Sequence, residues 1–375
     1  MNYCKRCLQP DTRPNTFFSK EMLCPACVYF EELQYVDWHE RYETLQEILS
    51  KHKRKRGQYH DCIMGVSGGK DSTRQALFLR DKLGINPLLV CLSYPPEQIS
   101  ERGAVNLSNL IELGFDVVVS APAPQTWKVL KQEGFRKFTN SFRSTEMALF
   151  AAVPKIAIEY GIKLIFWGEN PGLQLGDMNT LGRTGYDGNS LRYMNTLSSG
   201  FDWMLKCGFS KNELISYAYP AIEQFEKHDL QIVYLGWFLG DWSLINNAVY
   251  ACANGIEIRT DTVEKTGDLY GVTALDEDFT PVNQLIKYYK FGFGRVSDYV
   301  NEEIRLGRVS REEGILIVEK FDDAYDDKYI KDYCDYLEIS VDCFWIKVRA
   351  SVNKTLFSID VDGSINRKFK VGTGL

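Results

Sequence analysis

Asp61-Cys62-Ile63-Met64-Gly65-Val66-Ser67-Gly68-Gly69-Lys70-Asp71-Ser72 is the stretch around which the chain is arranged. Cys62, Ile63, Met64 and Val66 make a short apolar run of buried-strand type, Ser67-Gly68-Gly69 a turn, and Thr73 to Arg80 places apolar residues at helical spacing. A strand that passes through glycines into a helix N-terminus aims backbone N–H groups and the positive end of a helix dipole at one point. An anion with several oxygens suits that point. A Walker loop is excluded letter by letter, because Met64 stands where its first glycine belongs and Asp71 follows Lys70. An ordinary glycine-rich turn is the plainer alternative.

Outward from this stretch, strand and helix patterns alternate. Asn86 to Tyr94 reads as a second buried strand, stopped by Pro95-Pro96, and Glu97 to Leu113 as a helix ending at Gly114. Phe115 to Ser120 is a third strand. Glu146 to Tyr160 suits a packed helix that Pro154 kinks or starts. Lys163 to Trp167 is a fourth strand, running into Gly168-Glu169-Asn170, and Ile232 to Trp237 a fifth. This order implies an α/β fold with a parallel sheet covered on both faces, and ligands at the carboxyl ends of the strands. Glu169 would then share an edge with Asp71, where two carboxylates can hold Mg²⁺; a carboxylate capping a loop is the alternative.

The N-terminal cysteines carry separate information. Cys4, Cys7, Cys24 and Cys27 form a C-x2-C-x16-C-x2-C pattern with the spacing of a four-cysteine zinc site. A closed tetrahedral shell leaves no position for substrate, so the metal would be structural. An iron–sulfur cluster or four unliganded thiols would use the same residues. A helix is expected from Phe30 to Ser50, and the basic run Lys51 to Arg56 reads as a solvated linker. The expected division is zinc-binding knuckles plus helix over 1–50, the loop-bearing α/β domain over 57–270, and a mostly helical region over 271–375.

Gln174 to Ser210 is rich in Gly, Asn, Thr, Arg and Tyr, a texture suited to a polyhydroxylated ligand such as a sugar, or to a disordered excursion. Asn283 to Asp298 contains Phe291-Gly292-Phe293-Gly294 between Lys290 and Arg295, two cations suited to ATP phosphates or to a sugar carboxylate or nucleotide; surface cations at helix ends are the alternative. Helices are expected from Pro281 to the glycines, from Ser297 to Leu306, and from Ser310, which opens a capping-box pattern with Glu313. Lys354 to Val361 reads as a strand.

The chain has 375 residues, 45% apolar and 25% charged, and a formal net charge of −6, which argues against a broad nucleic-acid surface. With no run of 18 apolar residues and no signal-peptide pattern at Met1, a cytoplasmic protein away from the membrane is expected.

Ser67-Gly68-Gly69-Lys70-Asp71-Ser72 resembles the S-G-G-x-D-S signature of the PP-loop ATP pyrophosphatases, whose adenine nucleotide α-hydrolase-like fold it implies. In that family the loop cradles the leaving pyrophosphate while chemistry occurs at the α-phosphate. The resemblance assigns Ser67, Gly68, Gly69 and Ser72 to pyrophosphate, Lys70 to phosphate charge, Asp71 and Glu169 to Mg²⁺, and the backbone near Leu92 and Ser93 to adenine, with Gly168 on the same edge. Over nearly its whole length the chain further resembles the N-acetyl sugar amidotransferases of surface-polysaccharide and nonulosonic-acid biosynthesis. That likeness rests on the Cys-x-x-Cys pairs, the loop, Trp167-Gly168-Glu169-Asn170 and Lys287-Tyr288-Tyr289-Lys290-Phe291-Gly292-Phe293-Gly294-Arg295.

Members of that family convert an acetamido group into an acetamidino group with ATP and ammonia, which implies catalytic roles for Lys70, Asp71, Glu169, Lys290 and Arg295. An N-acetylated sugar would be the substrate. No cysteine follows Met1 and no G-x-C-x-G elbow occurs, so separate glutaminase and ammonia-channel subunits are expected to supply the ammonia. A tRNA-thiolating PP-loop enzyme is the runner-up, although Cys62, Cys91, Cys207, Cys252, Cys334 and Cys343 are scattered singly. A non-catalytic zinc-and-nucleotide scaffold is the third reading.

Overall fold

The computed structural model describes residues 1–52, 57, 59–168, 175–176, 185–198 and 200–375. Glu169, Asn170, most of the basic linker and residues 177–184 of the glycine-rich stretch lie outside the described residues.

Helix α1 (Pro25–Glu32) follows the second cysteine pair and α2 spans Trp38–Lys51. The single helix expected over this region is therefore broken. Asp37 accepts the N–H groups of His39 and Glu40 at 2.9 and 3.2 Å, and so caps a new helix rather than continuing the old one.

The sheet strands are β1 (Cys62–Val66), β2 (Pro87–Leu92), β3 (Val117–Ser120), β4 (Leu164–Trp167) and β5 (Gln231–Tyr234). They lie in the order β3-β2-β1-β4-β5 with every pairing parallel. Interleaved are α3 (Lys70–Leu77), α4 (Glu101–Glu112), α5 (Pro124–Phe138), α6 (Arg143–Tyr160) and α7 (Ile222–His228), with α8 (Leu244–Cys252) after β5. Successive strand residues face opposite sides. Met64, Leu89, Phe166 and Val233 pack with Leu45 and Ile48 of α2, Ala76 of α3 and Leu110 of α4. Ile63, Val90, Ile165 and Ile232 pack with Val153 and Ala157 of α6 and Phe225 of α7. Both faces are covered, which explains why the strands read as unbroken apolar runs.

Several boundaries differ from the sequence expectation. Helix α6 begins at Arg143 and runs through Pro154, so that proline is neither its start nor its end. Chain packing overrides the local penalty here, because Val153, Pro154 and Ala157 are all buried. Strand β5 stops at Tyr234, and Leu235–Phe238 turns tightly instead. Helix α5 was not read from the sequence, although Trp127, Leu130, Lys131, Gly134 and Phe135 line its buried face at helical spacing.

After the sheet come α9 (Thr280–Phe291), α10 (Arg295–Arg305), α11 (Arg311–Phe321), α12 (Asp327–Leu337) and α13 (Val341–Ser351), then a hairpin of β6 (Phe357–Ile359) and β7 (Ile365–Arg367). These helices share one large apolar cluster with α5, α6 and the N-terminal residues Tyr3 and Leu8. Leu8 donates its N–H to Asn301 of α10 at 2.7 Å, and Thr12 donates to the Phe291 carbonyl. The cysteine segment is thus seated on the C-terminal helices. No helix among the described residues is long and apolar enough to cross a membrane.

Candidate active site

The strand order reverses direction between β1 and β4, and a crevice opens at the carboxyl ends of strands around such a point. Ser67-Gly68-Gly69 leaves β1 there. Gly68 has φ +76°, and a Cβ on it would come within 2.9 Å of the Asn106 backbone, so glycine is required on both counts. Gly69 is the N-cap of α3, without a side-chain cap bond. The Ser67 hydroxyl accepts from Gly69 N–H at 3.3 Å, and Ser72 donates to the Gly69 carbonyl at 3.1 Å, which fixes the turn.

Two cavities meet at this loop. The first, about 290 Å³, is lined by Ser67, Gly69, Lys70, Asp71 and Ser72, by Leu92 at the end of β2, and by Gly168 after β4. Thr273, Ala274 and Asp276, from the loop before α9, form its other wall. The second, about 400 Å³, shares Lys70, Asp71, Thr273 and Ala274 with the first. Its walls are aromatic: Tyr29, Phe30, Trp38, Trp237, Trp242 and Tyr299. The buried Arg41 organises three of these, with its guanidinium 3.7 Å from the Trp237 ring centre and 5.0 Å from that of Trp38, and a hydrogen bond to Tyr29 Oη at 3.3 Å.

At the junction, Lys70 Nζ donates to Asp71 Oδ2 at 2.5 Å, while Asn247 of α8 donates to Asp71 Oδ1 at 2.6 Å. Arg74, bonded to Asp241 and to the Asn247 amide oxygen, holds Asn247 in that orientation. Asp71 Oδ1 is therefore aimed by Asn247 and Arg74, partners that no local spacing connects to it. Glu302 of α10 lines the aromatic cavity and accepts the Leu244 N–H at 3.1 Å. Burial raises its carboxyl above the usual range, against the pull of Arg305. In the first cavity, burial and the neighbouring Glu277 charge push Asp276 up to about 7. Asp298, also in the aromatic wall, is desolvated by burial, yet Arg13 and Lys287 hold it below the usual carboxylate value.

The candidate residues from the sequence separate into groups. Ser67, Gly69, Lys70, Asp71, Ser72, Leu92 and Gly168 stand around the first cavity, with Gly68 inside the turn. Ser93 does not line it: its N–H goes to Ser120 and its hydroxyl to the Tyr94 carbonyl. Arg295 lines the aromatic cavity. Lys290 stands apart from Arg295, because its ammonium donates to the carbonyls of Phe138 and Thr139 at 2.6 and 3.0 Å, at the C-terminal end of α5. Asn247, Asp276, Glu302 and the loop at Thr273 went unread, since each reaches the site only through the tertiary fold.

The four N-terminal thiols lie together. Cys4, Cys7, Cys24 and Cys27 are buried, and their Sγ atoms all fall within 4.8 Å of one another. Cys7 and Cys24 Sγ are 3.7 Å apart, close to the ~3.8 Å edge of a tetrahedron with ~2.3 Å zinc–sulfur bonds. Backbone N–H groups of Gln9 and Cys24 point at Cys7 and Cys4 Sγ, and the Arg305 guanidinium lies 4.0 Å from Cys7 Sγ. This donor set suits a thiolate-bound cation.

A parallel α/β sheet with a glycine loop at its switch point and two confluent cavities places the candidate ligand site at the carboxyl edge of the sheet. Residues 268–369 match the family model described as LPS biosynthesis protein WbpG-like, C-terminal domain, and this supports the resemblance to the LPS-linked sugar amidotransferases. The matched segment supplies Thr273, Asp276, Arg295 and Glu302 to the cavities. The structure of NMN synthetase from Francisella tularensis is similar over 52% of this chain and 92% of that chain, at 13% identity and a TM-score of 0.29. No curated protein matches the chain.

Proposed function

We propose that this chain uses ATP to convert an acetamido group of a sugar into an acetamidino group, with release of AMP and pyrophosphate. The observation that carries the reading is the pair of cavities joined at Lys70 and Asp71, one lined by the glycine loop and the other by aromatic rings. ATP would occupy the first, with its pyrophosphate on the loop and its adenine near Leu92. The sugar would stack its C–H faces on the aromatic walls of the second. An amide carbonyl presented from that side would meet the α-phosphate at the junction.

An amide resists ammonia because resonance protects its carbon and oxide is a poor leaving group. Attack of the amide oxygen on the α-phosphate forms an O–P bond, expels pyrophosphate and, with loss of the amide N–H proton, gives an O-adenylyl imidate. Ammonia then forms a C–N bond and the C–O bond to AMP breaks. Lys70, turned from Asp71 toward phosphate, would offset the charge on the departing pyrophosphate. The Asp71 oxygens offer the hard donors that suit Mg²⁺, with Glu169 as the other carboxylate implied by the resemblance; bound there, the ion would neutralise phosphate charge. Zinc at the four cysteines would be structural. Ammonia would come from separate glutaminase and channel subunits, in the cytoplasm.

Among the described residues no cysteine lines either cavity, which weighs against tRNA thiolation. The test is mass spectrometry of the purified protein with ATP, Mg²⁺, an ammonium salt and UDP- or CMP-linked N-acetyl sugars. A product lighter by about one mass unit, formed together with AMP, is expected. Asn247→Ala should slow AMP release roughly ten- to hundredfold by releasing Asp71 from its aim. ADP formation, or AMP formation only with tRNA and a sulfur donor, overturns the reading.

A further inference from the structure

One cation in the aromatic cavity keeps a terminal nitrogen without a hydrogen-bonding partner among the described residues. Arg295 is 5% exposed, and its Nη1 is buried without a hydrogen bond among the described residues. Its counter-charge, Asp268 Oδ2, lies 3.7 Å away, beyond hydrogen-bonding reach. Asp268 is engaged elsewhere, because its two oxygens accept the N–H groups of Tyr270, Gly271 and Thr273. Arg259 is equally buried, yet both of its Nη atoms are bonded, to Asp278, Tyr329 and two backbone carbonyls. Only Nε of Arg259 lacks a partner among the described residues, whereas at Arg295 the atom left without one is a terminal nitrogen.

A second buried polar atom shares the wall. Gln284 Oε1, on α9, also has no hydrogen-bond partner among the described residues, and Gln284 lines the same cavity. Two such atoms on one cavity wall are groups that a ligand entering the cavity could satisfy. Of the other charges in the wall, Lys70 is paired with Asp71 and Asp298 with Arg13 and Lys287, while Glu302 accepts the Leu244 N–H and Arg305 lies beside Cys7 Sγ.

The location narrows the choice of ligand. Arg295 lines the aromatic cavity and not the glycine-loop cavity. The Asp268 oxygen that faces it also holds Thr273 N–H, and Thr273 belongs to both walls. The guanidinium whose Nη1 lacks a hydrogen bond therefore lines the aromatic side, just beyond the junction.

We propose that Arg295, assisted by Gln284, determines acceptor specificity by receiving an anionic group, carboxylate or phosphate, that the sugar carries away from its reacting acetamido group. A planar guanidinium suits either anion, and Gln284 Oε1 would accept from a hydroxyl or amide N–H beside it. This rests on the aromatic cavity being the acceptor's.

The experiment is calorimetric titration of the full chain with N-acetylglucosamine, its 1-phosphate and its uronic acid, and with a non-hydrolysable ATP analogue. The wild type should bind at least one of the anionic sugars roughly ten- to hundredfold more tightly than the neutral one, and which one it prefers separates phosphate from carboxylate. Arg295→Gln should abolish that preference, and Arg295→Lys should keep part of it, while nucleotide affinity stays unchanged in both. Gln284→Glu, which leaves Arg295 in place, should weaken the anionic sugars selectively. Equal binding of neutral and anionic sugars by the wild type overturns the proposal, as does absence of binding by both anionic sugars. Retained charge preference in Arg295→Gln, or loss of nucleotide instead of sugar, also overturns it. Charge preference without AMP formation from any acceptor would defeat the adenylation reading and leave this one standing.

Discussion

Single residues show where local reading ends. Lys70 and Asp71 were legible because the glycine turn places them, but the partners that aim Asp71 were not: Asn247 stands 176 residues away. Lys131 is a sharper case. It is fully buried in α5, with Nζ 3.1 Å from Thr145 Oγ1 and 4.2 Å from the Phe142 ring centre, and burial lowers its ammonium from 10.5 to about 8. In the unfolded chain the group binds its proton more tightly. Between about pH 8 and 10.5 unfolding therefore takes up a proton, and stability should rise with pH across that window and lie flat below it. Lys131 should contribute about 3 kcal/mol of this rise, read as the difference in pH slope of the urea midpoints between wild type and Lys131→Met, because buried thiols such as Cys91, raised to about 12, act in the opposite sense. An unchanged pH slope in the variant would mean that the lysine is hydrated.

At the scale of elements, α10 carries much of the wall of the aromatic cavity: Arg295, Asp298, Tyr299, Glu302 and Arg305. Its start is held from another helix. Asp322, at the end of α11, accepts the N–H groups of Gly294 and Ser297 at 2.7 and 2.8 Å and the Ser297 hydroxyl at 2.6 Å. Gly294 is obligatory, because a Cβ there would fall 2.1 Å from the Asp322 carbonyl oxygen. Asp322→Ala should cost about 1–3 kcal/mol in thermal unfolding and should impair acceptor binding more than nucleotide binding. The capping box of Ser310 and Glu313 was readable from spacing and is present in both directions. The cap from Asp322 was not, since nothing in the sequence near Gly294 points to a carboxylate 28 residues on.

For the whole molecule, the cysteine segment is part of the site and not an appendage. Tyr29 and Phe30 come within three residues of Cys27 and line the aromatic cavity, while Leu8 and Arg305 join the knuckles to α10. Metal analysis should find about one zinc per chain, and Cys24→Ser should lower both the unfolding temperature and acceptor affinity. Full metal loss without effect on either would reduce the four thiols to a bystander.

The strand–turn–helix at β1 and the alternating apolar runs were decided by local sequence, because a parallel sheet buried on both faces needs continuous apolar strands and a glycine turn needs residues without Cβ. The same holds for the cysteine spacing, which brings four thiols together over a short loop. The aromatic cavity was decided by tertiary structure alone. Its walls come from α1, α2, the turn after β5, the Thr273 loop and α10, elements far apart in the chain. Their side chains acquire a common role only when the C-terminal helices and the N-terminal segment bury their shared apolar surface.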